Sequence, residues 1–165
     1  NDISEMEKML NEYLQFASSR YIEKTETFDL SELLINTIQK FEKKEIVTNI
    51  PERVYLDGRK NLIQRCINNL IDNSIKYSKN ISIFLKKSAN SITITIDDDG
   101  PGIPEQEREN VLKPFYKIDK SRGDKKSSVG LGLSIANDII RSHGGNLKLE
   151  TSPKSGLRAK IFLPF

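Results

Sequence analysis

The chain has 165 residues, 36% hydrophobic and 30% charged, which suits one globular domain with or without an appendage and argues against wholesale disorder. Lysines and arginines number 26 against 23 aspartates and glutamates, and the resulting +3 is too small to point to nucleic acid or anionic lipid. One cysteine, Cys66, excludes an internal disulfide, one histidine, His143, leaves no His/Cys cluster for zinc, and no apolar run nears the ~20 residues of a membrane span. No signal peptide is visible, and the first residue is Asn, so the sequence reads as a piece of a longer protein.

In chain order, residues 1–24 are predicted as one amphipathic helix, with Ile3, Met6, Leu10, Tyr13, Leu14 and Ala17 recurring at three- and four-residue steps. The stripe is narrow, as in a helical hairpin or coiled-coil seam. Phe28-Asp29-Leu30 breaks the pattern, and Asp29 with Glu32 has capping-box spacing, opening a second helix to about Lys43. Short strands are expected at Ile46–Ile50 and Arg53–Leu56, around Pro51. A longer helix is expected from an Asp57 N-cap to about Ser78, burying Leu62, Ile63, Cys66, Ile67, Leu70 and Ile71. Ile81–Lys87 and Ser91–Asp97 read as a hairpin around Asn90. Residues 100–130 carry Gly, Pro, Lys and Ser with a short helix signal near 105–112, the pattern of a functional loop or lid. A helix returns at Leu131–Ser142 and stops at Gly144-Gly145, and Asn146–Thr151 and Arg158–Pro164 close the chain as a hairpin around Pro153–Gly156. This order implies an α+β sandwich with helices on one sheet face.

Three features carry chemistry. In INNLIDNSIKYS, ~100° per residue puts Asn69, Asn73, Lys76 and Tyr77 on one stripe beside the apolar face. Carboxamide oxygens can ligate a hard cation such as Mg²⁺ and Lys76 can meet a phosphate, although a solvated helix edge would look the same. In IDDDGPGIP, strand alternation puts Asp98 on the side of Ile92, Ile94 and Ile96, with Asp97 and Asp99 opposite. A carboxylate aimed into an apolar face needs donors. A purine's exocyclic amine would be one, and Gly100 and Gly102 would let a planar ring approach the backbone; an acidic turn past the strand end is the alternative. In VGLGLSIANDII, a Gly-x-Gly opens a helix whose first amides attract phosphate, or simply makes the turn into it. It is neither a P-loop, lacking a following Gly-Lys-Ser/Thr, nor a Rossmann turn, since a lid and not a strand precedes it. Between the last two features, Phe115 and Tyr116 read as loop anchors, and Lys117, Lys120, Arg122, Lys125 and Lys126 as a cationic segment that either screens a triphosphate or is merely solvated.

Taken together, an Asn-bearing helix, Asp-x-Gly-x-Gly after a strand, a Phe-containing lid and Gly-x-Gly-Leu before a helix resemble the ATP-binding catalytic domain of sensor histidine kinases of two-component systems. That domain has the Bergerat-type α/β sandwich fold, and the likeness covers residues 28–165. Residues 1–24 then resemble the second helix of the dimerisation and histidine-phosphotransfer hairpin. IDDDGPGIP, KPF and the terminal features are most similar to the osmosensor-type subgroup.

The resemblance implies ATP and Mg²⁺ as ligands. By it, Asn73 ligates the metal, Asn69 lies beside the metal and phosphates, Lys76 contacts phosphate and Tyr77 lines the pocket. Asp98 accepts the adenine amine on a wall shaped by Gly100, Gly102 and Ile103. Phe115 belongs to the F box with Lys117 beyond it, and Gly130, Leu131, Gly132 and Leu133 to the second glycine box at the phosphates. Two positions depart from the pattern: Ser128 replaces a usual glycine, and Lys117 stands where many relatives have Arg, losing the bidentate fork.

The family passes the γ-phosphoryl group of ATP to a histidine on the first hairpin helix, then to an aspartate on a response regulator receiver domain. These 165 residues contain no such helix, and His143 reads as a cap on the last carbonyls of its helix, so no catalytic residue is assigned and the piece is expected to hold ATP without its own phosphoacceptor. The implied setting is the cytoplasmic portion of a bacterial inner-membrane sensor, homodimeric at full length, with no nucleic acid partner and no direct membrane contact by this piece. Related ATPases carry a glutamate one turn before the metal-binding Asn; here that position is Asn69, which argues against efficient hydrolysis. The alternatives are an anti-sigma serine kinase, whose base this stripe also lacks, and a nucleotide-binding module without turnover.

Overall fold

The computed structural model describes residues 3, 4, 6–8, 10–14, 23–41, 45–114, 116 and 131–165. Its elements are β1 (Glu26–Asp29), α1 (Leu30–Gln39), β2 (Glu45–Asn49), β3 (Tyr55–Gly58), α2 (Lys60–Tyr77), β4 (Asn80–Lys87), β5 (Ser91–Asp98), 3₁₀ turns at Glu105–Glu107 and Asn110–Leu112, α3 (Gly132–Ser142), β6 (Asn146–Thr151) and β7 (Leu157–Pro164).

Alternation of apolar residues in the two predicted hairpins builds the centre. Five strands lie in the order β2-β4-β5-β7-β6, all antiparallel neighbours except the parallel pair β2-β4. The register stacks inward side chains in rows: Ile83, Ile96, Ala159 and Leu149 in one, Leu85, Ile94, Ile161 and Leu147 in the next. All eight are buried, as is the α2 face of Leu62, Ile63, Cys66, Ile67, Leu70 and Ile71. Each such Leu or Ile contributes ~1.5–3 kcal/mol of burial. The opposite sheet face stays open, with Lys148, Lys160 and Phe162 exposed on it. The result is the expected α+β sandwich, with a separate two-stranded β1-β3 sheet at one end.

Element boundaries moved where backbone pairing took residues that the sequence pattern assigned elsewhere. Asp29 caps α1 as expected, its Oδ1 accepting the Glu32 amide at 3.0 Å, but the helix ends at Gln39. Asp57 is not the cap of α2. It lies in β3, opposite Thr27 of β1 and accepting that hydroxyl, so the long helix starts after Arg59. The helix predicted for residues 1–24 is present at residues 3, 4, 6–8 and 10–14, whereas 23–25 are not helical.

The helices α2 and α3 run antiparallel along a polar seam. The Arg59 amide donates to His143 Nε2 at 3.0 Å, the Cys66 thiol to the Ala136 carbonyl at 3.7 Å, and the Asn69 amide group to the Gly132 carbonyl at 3.4 Å. Burial pushes the Cys66 thiol far above its ordinary range, which makes it an inert packing group. His143 does cap its own helix, Nδ1 lying 2.8 Å from the Ile139 carbonyl, but Nε2 reaches across to α2. Partial burial, together with the Arg59 charge, holds His143 below its usual 6.5, against the opposing pull of the Ile139 carbonyl and Glu23.

Candidate functional site

The polar stripe of α2 runs from Asn69 to Tyr77, eight residues or ~12 Å of helix axis. Asn69 and Asn73 are half-buried; Lys76 and Tyr77 are exposed. Lys76 Nζ stands 3.9 Å from Asp72 Oδ2, an exposed i,i+4 pair too weak to hold it. The two ends of the stripe meet two different walls. Asn69 touches the start of α3 through Gly132, and the Tyr77 carbonyl lies against Gly100, where an added Cβ would come within 2.6 Å of it.

Three successive aspartates beyond Ile96 have three different partners. Asp97, on the outer face, takes both Nε and Nη2 of Arg158, at 2.7 and 2.9 Å. Asp99 accepts the amides of Lys79 and Asn80 and the Asn80 side chain, tying the exit of α2 to the strand end and lowering its carboxyl to about 2. Asp98 lies between them on the inner face, in line with Ile81 and 3% exposed. Its Oδ1 accepts the amides of Gly100 at 2.9 Å and Leu157 at 3.0 Å. Its Oδ2 receives no hydrogen bond among the described residues, and no buried side-chain polar atom there lacks a partner, so Oδ2 is the oxygen that reaches accessible space. The strand therefore continues through Asp98, and the acidic-turn alternative fails.

Glycines close the backbone around this carboxylate. Gly102 has φ +72°, which favours glycine, and packs on Gly156. At Gly156 a Cβ would fall 2.3 Å from the Asp98 carbonyl oxygen and 2.4 Å from Oδ1. Gly156 and Leu157 are the site residues that the sequence reading missed; it counted Gly156 as a turn residue, and only the β5-β7 pairing brings it to Asp98. Ile103 is partly buried against the core, and its carbonyl accepts Arg108 Nε at 3.1 Å while Arg108 Nη2 reaches Thr151 Oγ1 at 2.8 Å, which pins this loop to β6.

At the start of α3, Leu131 is buried and Leu133 packs partly against the core. Gly132 opens α3, and among the described residues nothing lies within 4 Å of an added Cβ, so their packing does not demand glycine there. Leu131, the residue before this helix, makes no side-chain cap bond, unlike Asp29 ahead of α1, and a helix N-terminus favours an anion. The Tyr116 hydroxyl donates to the Glu107 carboxylate, and that hydrogen bond raises the phenol above its usual value. Phe115, Lys117, Lys120, Arg122, Lys125, Lys126, Ser128 and Gly130 lie outside the described residues.

Among the described residues no cluster of three His, Cys, Asp or Glu could hold a metal ion. The donors on α2 are two carboxamides one turn apart, a neutral oxygen set that fits Mg²⁺ arriving with a phosphate ligand better than a metal bound by protein alone.

The sequence pattern of the histidine kinase-, DNA gyrase B- and HSP90-like ATPase family matches residues 58–165. The sensor histidine kinase CpxA of Escherichia coli K12 is 37% identical over 138 residues, covering 81% of this chain and 30% of that protein. The sensor histidine kinase GtrS of Pseudomonas aeruginosa is 33% identical over 167 residues, covering 99% of this chain and 34% of that protein. The chain thus spans about a third of the length of the curated relatives it matches. A mycobacterial sensor histidine kinase, MprB, superposes with a TM-score of 0.72 at 24% identity, over 86% of this chain and 97% of that structure, a likeness of fold.

Proposed function

The chain belongs to the histidine kinase-, DNA gyrase B- and HSP90-like ATPase family, and from that premise we propose that it is the ATP-binding catalytic domain of a sensor histidine kinase. In the whole protein the γ-phosphoryl group of ATP passes to a histidine on a dimerisation helix and then to a response regulator aspartate. The observation that carries the reading is the Oδ2 of buried Asp98, which has no partner among the described residues, an acceptor fixed at the end of an apolar row and suited to a purine amine.

Each residue then has a task of binding or orientation. Asp98 Oδ2 accepts the adenine amine, and Gly100, Gly102 and Ile103 form the wall that the ring lies on. Tyr77 borders the base, and Lys76, freed from Asp72, faces phosphate. The uncapped start of α3, with Leu131, Gly132 and Leu133, receives phosphate oxygens. Asn73, with Asn69 a turn before it, would hold Mg²⁺, which when bound supplies positive charge to the phosphate oxygens. Phe115, Lys117 and Gly130 complete the lid and the second glycine box. The protein contributes position and charge neutralisation more than covalent chemistry. No carboxylate stands at Asn69 to activate water, which favours transfer over hydrolysis.

Residues 1–24 are assigned to the second helix of the phosphotransfer hairpin and 28–165 to the catalytic domain. The exposed stripe of Ile3, Met6, Leu10 and Leu14 supports this, since such a seam pairs with another helix, as in a homodimer. A receiver domain is the downstream partner. Among the described residues no helix is long and apolar enough to cross a membrane, and the cytoplasmic side of an inner-membrane sensor is the setting inferred.

The test adds the hairpin with its histidine in trans, together with γ-labelled ATP and magnesium. Label should appear on that histidine as an acid-labile phosphoryl group. Bound nucleotide with no label on the histidine would overturn the kinase reading in favour of a binding module without turnover.

A further inference from the structure

The helix α2 does not cap itself. Its N-cap residue, Arg59, makes no side-chain cap bond, and its first turn contains no acidic residue. Helix starts leave amides that need acceptors. Here the acceptors come from elsewhere: Glu23 Oε2 takes the Asn61 amide at 2.8 Å, Glu23 Oε1 takes the Leu62 amide at 3.1 Å, and His143 takes the Arg59 amide. A carboxylate gripping two amides at the positive end of a helix is a strong arrangement.

Glu23 precedes the first strand and lies outside the stretch matched by the ATPase family, which begins at residue 58. One turn further along α2, Arg65 Nη2 donates to the Glu12 main-chain carbonyl at 3.1 Å, and Tyr13 packs against the core. The leading segment therefore holds α2 at two points, eleven residues apart in the chain. The same helix carries Asn69, Asn73, Lys76 and Tyr77 on its other half.

We propose that Glu23 is a positioning residue for nucleotide binding: its carboxylate fixes α2 in its seam against α3, so the placement of the segment ahead of the domain sets the affinity of the site. The inference rests on the nucleotide reading given above. Coupling of this kind is reciprocal, so nucleotide must in turn tighten the Glu23 grip.

Calorimetric titration with a non-hydrolysable ATP analogue and magnesium, on the wild type, Glu23→Ala and Glu23→Ala/Asn61→Asp, tests it beside thermal unfolding and amide exchange. The Asn61→Asp change returns an acid to the first turn from within the helix. Glu23→Ala should weaken the analogue about fivefold or more. The double variant should recover the thermal midpoint but not the affinity. In the wild type the analogue should slow exchange of the Asn61 and Leu62 amides. Unchanged affinity in Glu23→Ala, or affinity recovered together with the midpoint in the double variant, would reduce Glu23 to a stabilising cap and overturn the proposal. A wild type that binds no analogue overturns the nucleotide reading itself and this proposal with it.

Discussion

Asp97 and Asp98 are chain neighbours on opposite faces of β5, 2% and 3% exposed. On the outer face, Asp97 engages both oxygens with the Arg158 guanidinium, and the pair is complete. On the inner face, Asp98 gives one oxygen to two backbone amides and keeps the other clear of any partner among the described residues. Burial is thus the same and the consequence is not. A satisfied carboxylate stabilises the sheet, whereas one anchored by half its capacity is ready for a ligand.

The largest expected effect comes from Gly156, whose missing side chain lets β7 close on Asp98. Gly156→Ala would drive a methyl into the Asp98 carbonyl and carboxylate, so we expect a loss of ~1–3 kcal/mol or more in urea unfolding and nucleotide binding weakened beyond tenfold in calorimetry. The neighbouring aspartates should then separate. Asp98→Asn keeps an oxygen for the two amides but turns a donor toward the purine, so ATP affinity should fall by ~10–100-fold and preference over GTP should collapse, with little change in unfolding. Asp97→Asn should do the reverse, losing ~1–2 kcal/mol of stability, since half-buried Arg158 regains water, while affinity stays within about twofold. A competition titration in which both variants bind alike would erase the distinction.

The smallest effect is a pH dependence at the seam. The folded chain holds His143 below 6.5, so its stabilising contribution is complete above 6.5 and is lost as pH falls from there through the depressed value, where the unfolded chain binds the proton first. His143→Gln, which keeps an acceptor toward the Arg59 amide, should flatten that part of a midpoint-against-pH curve between pH 5 and 8. A curve as steep as the wild type's would show that other groups carry it.

Much of the fold was legible because alternation and helical periodicity report which face is buried. Ile92, Ile94, Ile96 and Asp98 were assigned to one face by parity alone, and the α2 core face was right at every named position. The relatives reported include several sensor kinases, so the subgroup likeness read from IDDDGPGIP is not singled out by them. Boundaries failed where partners distant in sequence decide. Asp57 looks like a cap until Thr27 pairs with it, and nothing near residue 60 announces that Glu23 will supply the cap instead.

The sequence by itself determined the amphipathic elements and their order, because those follow from side-chain spacing along one chain, and it carries the residue types of the proposed purine and phosphate site. The tertiary structure decided which Asp98 oxygen is left available, why Gly156 has to be glycine, and which carboxylate completes α2. Those depend on hydrogen bonds and close contacts between residues up to 59 positions apart, and local spacing carries no record of such meetings.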